Sequence, residues 1–197
     1  MGPTFWKAMN AVTSPQSILI TGCSSGIGQA LALEFKKRGH TVFATARQAQ
    51  ALASLTAMGL IAVELDVTSQ PSIDKAREQI QTHTNRLDML INNAGYGQFG
   101  AVIDTDSDAL RRQFETNVIA PVALSRAFLP LLRASSSACI ANVGSISGIT
   151  TTSFAGVYCA SKAALHALSD AMRMELGPLG VRTSHRPAWH WPRSGPW

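Results

Sequence analysis

The chain has 197 residues, of which 46% are hydrophobic and 15% charged, with a formal net charge of +5. That length is enough for one domain with a sizeable core, and its Lys and Arg are dispersed along the chain rather than massed, which argues against a nucleic-acid partner. Cys23, Cys139 and Cys159 are odd in number and widely spaced, which speaks against a disulfide framework and suits a reducing compartment; no CxxC or similar spacing asks for a metal.

Residues 1–16 contain Phe5, Trp6 and one lysine but no continuous apolar core of the kind a secretory signal needs. Trp6 stands where a myristoylation site at Gly2 would require Ser or Thr. The segment reads as a loose extension. No run of about eighteen apolar residues follows, so a cytoplasmic protein without a transmembrane segment is expected.

Ser17-Ile18-Leu19-Ile20 reads as a strand, Thr21-Gly22-Cys23-Ser24-Ser25-Gly26-Ile27-Gly28 as a glycine turn, and the residues from Gln29 as a helix with apolar positions at helical spacing. Strand, glycine turn and helix in that order form a phosphate site, because glycines let the backbone approach a pyrophosphate while the helix N-terminus faces its charge. Taken alone, the same turn could simply cap a helix. Beyond Gly39, Thr41 to Ala46 reads as a second strand, Gln48 to Met58 as a short helix and Leu60 to Leu65 as a third strand. Thr68 or Ser69 with Pro71 opens a helix to about His83. Met89 to Asn92 is a fourth strand, Asp108 to Arg133 a long helix bent at Pro121, Cys139 to Val143 a fifth strand, and Val157 to Leu176 a second long helix. Strands alternating with helices predict an α/β domain over residues 17–181, a doubly wound parallel sheet of Rossmann type covered on both faces.

Ser145 follows the fifth strand, and Tyr158 and Lys162 lie one turn apart on the last helix, so the ammonium can act on the phenol. A phenol works as an acid or base near neutral pH only when its pKa is brought down from about 10, and a neighbouring cation does this. A parallel strand would deliver Ser145 to the same edge of the sheet as the glycine turn.

In order and spacing, the segment Thr21 to Gly28, Asp66-Val67, the NNAG of Asn92 to Gly95, Asn117, Ser145 and the YxxxK of Tyr158 to Lys162 resemble the short-chain dehydrogenase/reductase family. The resemblance covers about residues 15–181. Its segments VFATAR, DVTS and RLDMLINNAGYG, with the helix from Val157, look most like fungal reductases related to NADPH-dependent 1-acyldihydroxyacetone-phosphate reductase, and also like hydroxysteroid and retinol dehydrogenases. It implies that Asn117, Ser145, Tyr158 and Lys162 are catalytic. Ser145 would hold a carbonyl oxygen, Tyr158 would protonate it, Lys162 would tune the phenol and hold the nicotinamide ribose, and Asn117 would hold a water for proton relay. Gly22, Ser24, Ser25, Gly26, Ile27 and Gly28 would line the pyrophosphate, Asp66 the adenine amino group with Val67 beside the ring, and Asn93, Ala94 and Gly95 the adenosine ribose. Asp66 could instead cap the turn that follows it.

An NAD site places an acid about twenty residues past the glycines, yet no acidic residue occurs between Glu34 and Glu64 and the second strand ends at Ala46-Arg47. A guanidinium at Arg47 can pair with a 2′-phosphate, with Ser25 as a further donor, so NADP is the expected cofactor; the alternative is a solvated surface arginine.

After Val181 the resemblance ends. Residues 182–197 hold several prolines and three tryptophans and lack the alternation of a strand. They read as an atypical, disordered tail, truncated or altered in reading frame, on a fold lacking its usual last strands and leaving the Ser145 strand as an open edge. His185 and His190 have no acidic or cysteine partner nearby in sequence, so no metal is expected. Two functions are consistent with this sequence. One is an NADPH-dependent oxidoreductase that reduces a ketone or aldehyde, lipid-like or small, to an alcohol. The other is a truncated, inactive dinucleotide-binding remnant of such an enzyme. Apolar residues on more than one face of the two long helices predict a homodimer or homotetramer.

Overall fold

The computed structural model describes residues 15–187. The remainder of the expected N-terminal extension and the tail beyond Pro187, with His190 and the C-terminal tryptophans, lie outside the described residues. Gln16, within the predicted extension, is already fastened: its N–H donates to His40 Nδ1 at 3.2 Å and its carbonyl accepts from Thr41 at 2.9 Å.

The elements run β1 (Ser17–Ile20), α1 (Gly26–Lys37), β2 (Thr41–Ala46), α2 (Ala49–Ala57), β3 (Ile61–Glu64), α3 (Gln70–Gln81), β4 (Met89–Asn92), α4 (Ser107–Phe114), α5 (Ala120–Arg133), β5 (Cys139–Gly144), α6 (Gly156–Leu176) and β6 (Arg182–Pro187), with short 3-10 turns between some of them. All strand pairs are parallel, in the order β3-β2-β1-β4-β5-β6. This is the doubly wound Rossmann-type sheet expected.

Alternate strand residues point to opposite faces, which divides the core in two. Leu19, Phe43, Leu90 and Ile140 pack with Ile73 and Ile80 of α3 and with Leu124, Phe128 and Leu131 of α5. Their sequence neighbours Ile18, Val42, Ile91 and Ala141 pack on the other side with Leu31 and Phe35 of α1 and Leu55 of α2. Burial on both faces is why these strands read as unbroken apolar runs. No helix among the described residues is long and apolar enough to cross a membrane.

Two expectations need correction. The long helix predicted from Asp108 to Arg133 is interrupted by a π turn over Glu115–Ile119. Pro121 has no N–H to return to the carbonyl four residues back, that of Asn117, and its ring crowds that oxygen, so the chain widens there instead of merely bending. The second correction is larger. Residues Arg182–Pro187 form β6 and pair with β5 from Cys139↔Arg182 to Gly144↔Pro187. The expected open edge at β5 is therefore covered, and among the described residues β3 and β6 are the edges. A ladder is made of backbone groups, which Arg, Thr, Ser and His supply as well as Val does; the only proline of the strand is its last residue. The polar composition leaves a mark: Thr183 is buried and its Oγ1 has no hydrogen-bond partner.

Candidate functional site

Parallel pairing of β1, β4 and β5 brings their C-terminal ends to one edge, where a cleft of about 670 Å³ opens. The glycine turn forms one end of it. Gly22 has φ +71°, a conformation that only glycine adopts without strain, and a Cβ there would meet the Ala94 backbone at 2.9 Å. A Cβ on Gly28 would strike the Gly22 carbonyl and the Asn93 side chain. The turn is braced from below: Asn93 Nδ2 donates to the carbonyls of Thr21 (2.9 Å) and Gly22 (3.0 Å), and buried Thr21 Oγ1 accepts the N–H groups of Asn93 and Ala94, each at 3.0 Å. α1 begins with no side-chain cap from Ser25 and no acid in its first turn, so its N–H groups and dipole are available to an anion. Gly22, Ser24, Ser25 and Ile27 line the cleft, and no Cβ-sized obstacle stands at Gly26. These residues fit a dinucleotide pyrophosphate.

Cys23, inside the same turn, points away from the cleft's chemistry. Its N–H donates to Thr45 O at 2.7 Å, its Sγ to Ile20 O at 3.2 Å, and burial pushes its thiol up to about 12. Asp66, Val67 and Arg47 line the cleft beside the end of β2. Asp66 Oδ1 accepts from Thr68 N (3.0 Å) and Thr68 Oγ1 (2.8 Å), the capping role foreseen as its alternative. These bonds, the backbone one foremost, hold the carboxyl below its usual range, with a smaller contribution from the Arg47 charge. Ala94 and Gly95 line the cleft between the two ends.

The far end carries Ser145, Tyr158 and Lys162. Ser145 follows β5 and its Oγ accepts the Ser147 N–H at 3.2 Å, so the hydroxyl hydrogen remains available for donation. Lys162, buried on α6, donates to Val143 O at 2.7 Å and lies 5.9 Å from the Tyr158 ring centroid. Burial pulls its ammonium down to about 8. Asn117 sits in the π turn, not on the cleft lining, and its side chain is fully engaged: Oδ1 accepts from Tyr96 N (3.2 Å), and Nδ2 donates to Tyr96 O (2.9 Å) and Ser161 Oγ (3.2 Å). It ties the loop after β4 to α6.

Several supporting residues escaped the sequence reading. Gln113, wholly buried, accepts from Gln98 N at 2.6 Å and donates to Tyr96 O at 2.8 Å, holding the same loop. Its position four residues before Asn117 was the available signal. Asn92, Asn142 and Ser169 form a buried chain, with Asn92 Nδ2 donating to Asn142 Oδ1 and Asn142 Nδ2 to Ser169 Oγ, both at 2.8 Å; nothing in their spacing announces it. At the mouth, exposed Phe99 tilts over Tyr158 with centroids 6.1 Å apart. Its loop is joined to that of Phe154, a residue at φ +61°, by Gly100 N–H donating to Phe154 O at 2.8 Å. Among the described residues there is no group of His, Cys, Asp and Glu that could hold a metal.

Residues 16–185 match the family model described as short chain dehydrogenase. The chain is 44% identical over 170 residues to "Short-chain dehydrogenase ptmH" of Penicillium ochrochloron, covering 85% of this chain and 62% of that protein. It is 40% identical over 170 residues to the NADPH-dependent 1-acyldihydroxyacetone phosphate reductase of Schizosaccharomyces pombe, covering 85% of this chain and 57% of the relative. Among solved structures, a short-chain dehydrogenase from Streptomyces avermitilis superposes with a TM-score of 0.82 at 37% identity, covering 88% of this chain and 65% of that one. The chain thus spans less than two thirds of the length of each of these relatives.

Proposed function

Because the chain belongs to the short-chain dehydrogenase family of oxidoreductases, we propose that it is an NADPH-dependent reductase that converts a ketone or aldehyde, small or lipid-like, to an alcohol. The observation that carries this reading is the meeting of Ser145, Tyr158 and Lys162 with the glycine turn on one cleft. NADPH, when bound there, supplies the hydride.

The chain's own residues do the rest. The glycine turn and the uncapped start of α1 take the pyrophosphate, and Lys162 reaches the nicotinamide end. Ser145 donates its hydroxyl hydrogen to the carbonyl oxygen and holds it beside Tyr158, whose phenol gives that oxygen a proton as alkoxide character develops. The Lys162 ammonium, 5.9 Å from the phenol ring centroid, stabilises the negative charge left on it. Asn117 acts by fixing Tyr96 against α6 at the cleft's edge. NADP is preferred over NAD because Arg47 lines the same cleft as Ser24 and Ser25 and can pair with a 2′-phosphate, and the Schizosaccharomyces pombe relative's name specifies NADPH. The reading includes a cytoplasmic location and self-association through exposed Ile119, Val122 and Leu168, for which light scattering should show a dimer or tetramer.

The test is NADPH oxidation against a panel of ketones by the purified chain and its Tyr158→Phe variant. The variant should lose about 10²- to 10⁴-fold in kcat, the worth of a positioned proton donor, while NADPH binding by fluorescence is unchanged. Retained turnover in Tyr158→Phe would sink the mechanism. The chain's span of 57% to 62% of its curated relatives keeps a second reading in play, a dinucleotide-binding remnant that turns over little. A version carrying a relative's complete segment after Val181 separates the two: reduction by that version alone favours the remnant.

A further inference from the structure

His166 lies on α6 one turn beyond Lys162 and has no part in the chemistry above. It is nearly buried. The Ser145 N–H points at its Nε2 at 3.4 Å, and because a backbone N–H can only donate, Nε2 is the unprotonated nitrogen and the imidazole is neutral. The ring also fills the space beneath Gly148, where a Cβ would meet His166 Cε1 at 2.5 Å and Nδ1 at 2.6 Å. Ser145 and Gly148 bound a single tight turn, closed by Gly148 N–H donating to Ser145 O at 3.0 Å. One imidazole therefore touches both ends of the turn that carries the Ser145 hydroxyl.

On its other face, His166 stacks on His185 of β6, with centroids 4.4 Å apart and planes 21° apart. His185 Nδ1 lies 3.9 Å from Asp170 Oδ1, which is itself 3.8 Å from Arg173 Nε. We propose that His166 is the positioning residue for Ser145, its neutral ring accepting the Ser145 N–H and filling the turn, and that protonation of His166 releases this hold.

The charges around the ring favour the neutral form at physiological pH. Burial, then His185 and Lys162, hold the His166 imidazole below its ordinary range, while Asp170 opposes them. Residues 140–144 of β5 and 146–148 of the turn bring no titratable side chain to it. The strand least expected from sequence thus contributes a side chain to the site's support.

The importance of the contact for catalysis rests on the role proposed above for Ser145; the contact itself does not, and the experiment is built on that difference. In the unmodified protein, the Ser145 amide resonance should follow the His166 ring titration with the same midpoint by NMR. His166→Gln keeps an acceptor and cannot titrate, so its Ser145 amide should stay flat with pH. His166→Phe keeps a ring under Gly148 without an acceptor, and Ser145 amide exchange should quicken about five- to tenfold. In ketone reduction, His166→Phe should lower kcat about tenfold at unchanged NADPH KM, and His166→Gln should restore kcat and lack the acid limb of the pH profile. An Ser145 amide that ignores the His166 titration, or equal exchange in His166→Phe and the parent, overturns the proposal. NMR coupling in a protein that reduces no ketone upholds the contact and overturns the proposed function instead.

Discussion

The two ends of the cleft are held by different means. At the glycine turn, every constraint falls on a residue type: Gly22 must be glycine for its φ and for the approach of Ala94, and Thr21 and Asn93 have their hydrogen bonds supplied by the backbone they brace. At the Ser145 end, support comes from buried polar and charged side chains: Lys162 bonds Val143, His166 sits under the Ser145 turn, and β6 covers β5 with a polar sequence that leaves Thr183 Oγ1 unpaired. The first end depends on backbone conformation braced from the loop after β4, the second on buried polar side chains. A substitution at the first should break the turn itself, whereas at the second it should act through burial and charge.

The largest effect expected on stability is electrostatic and belongs to the second end. Folding buries the Lys162 ammonium and brings its pKa to about 8, from 10.5 in the unfolded chain. Between those values the unfolded state holds more protons, so stability rises with pH. Chemical denaturation at pH 7.5 and 10.5 should show the parent gaining about 3 kcal/mol relative to Lys162→Met; a constant difference would mean the ammonium is solvated. Comparison with the variant is needed because Cys23, pushed up to about 12, works oppositely: it keeps its proton where the unfolded chain loses it, so its contribution falls as pH rises above 9.

At the first end, Gly22→Ala places a Cβ against the Ala94 backbone in a positive-φ conformation. It should cost about 2 kcal/mol in thermal unfolding and reduce NADPH binding with it. Arg47→Asp, beside the same turn, should leave the melting temperature unchanged while weakening NADPH binding by about 1 to 3 kcal/mol and NADH binding far less, as read by titrating each cofactor's fluorescence. Equal loss of both would make Arg47 a surface charge. The smallest effect sharpens the account of β6. Thr183→Val removes an unpartnered buried hydroxyl at nearly constant volume and should stabilise the protein by about 1 kcal/mol; destabilisation would show that the hydroxyl has a partner after all.

The same contrast explains what could be read from the residues. Ile18, Leu19, Val42 and Leu90 announce buried parallel strands because both of their faces must be apolar, and Gly22 announces its turn because no other residue fits. The strand of Arg182 to Pro187 is not legible in its residues because its pairing is templated by β5 and uses backbone groups indifferent to side chain. The π turn was half legible: Pro121 marked the place, and only the packing of Asn117 between Tyr96 and Ser161 shows what it achieves. The spacing makes Lys162 the neighbour of Tyr158, but its burial and its bond to Val143 are tertiary facts. The pairing of His166 with Ser145 and His185 joins residues distant in sequence that no spacing rule connects.

Cys23 lies where thiol chemistry would do most harm, in the middle of the glycine turn proposed above to take a pyrophosphate. Its thiol is wholly buried, donates to Ile20 O and is pushed up to about 12, so it holds almost no thiolate at neutral pH, and thiolate is the form that oxidants and alkylating agents attack. The glycine turn should therefore remain intact in air, without added reductant, and iodoacetamide should leave Cys23 unlabelled until the protein is unfolded. Mass-spectrometric footprinting of that one residue then becomes a direct gauge of how often the turn opens.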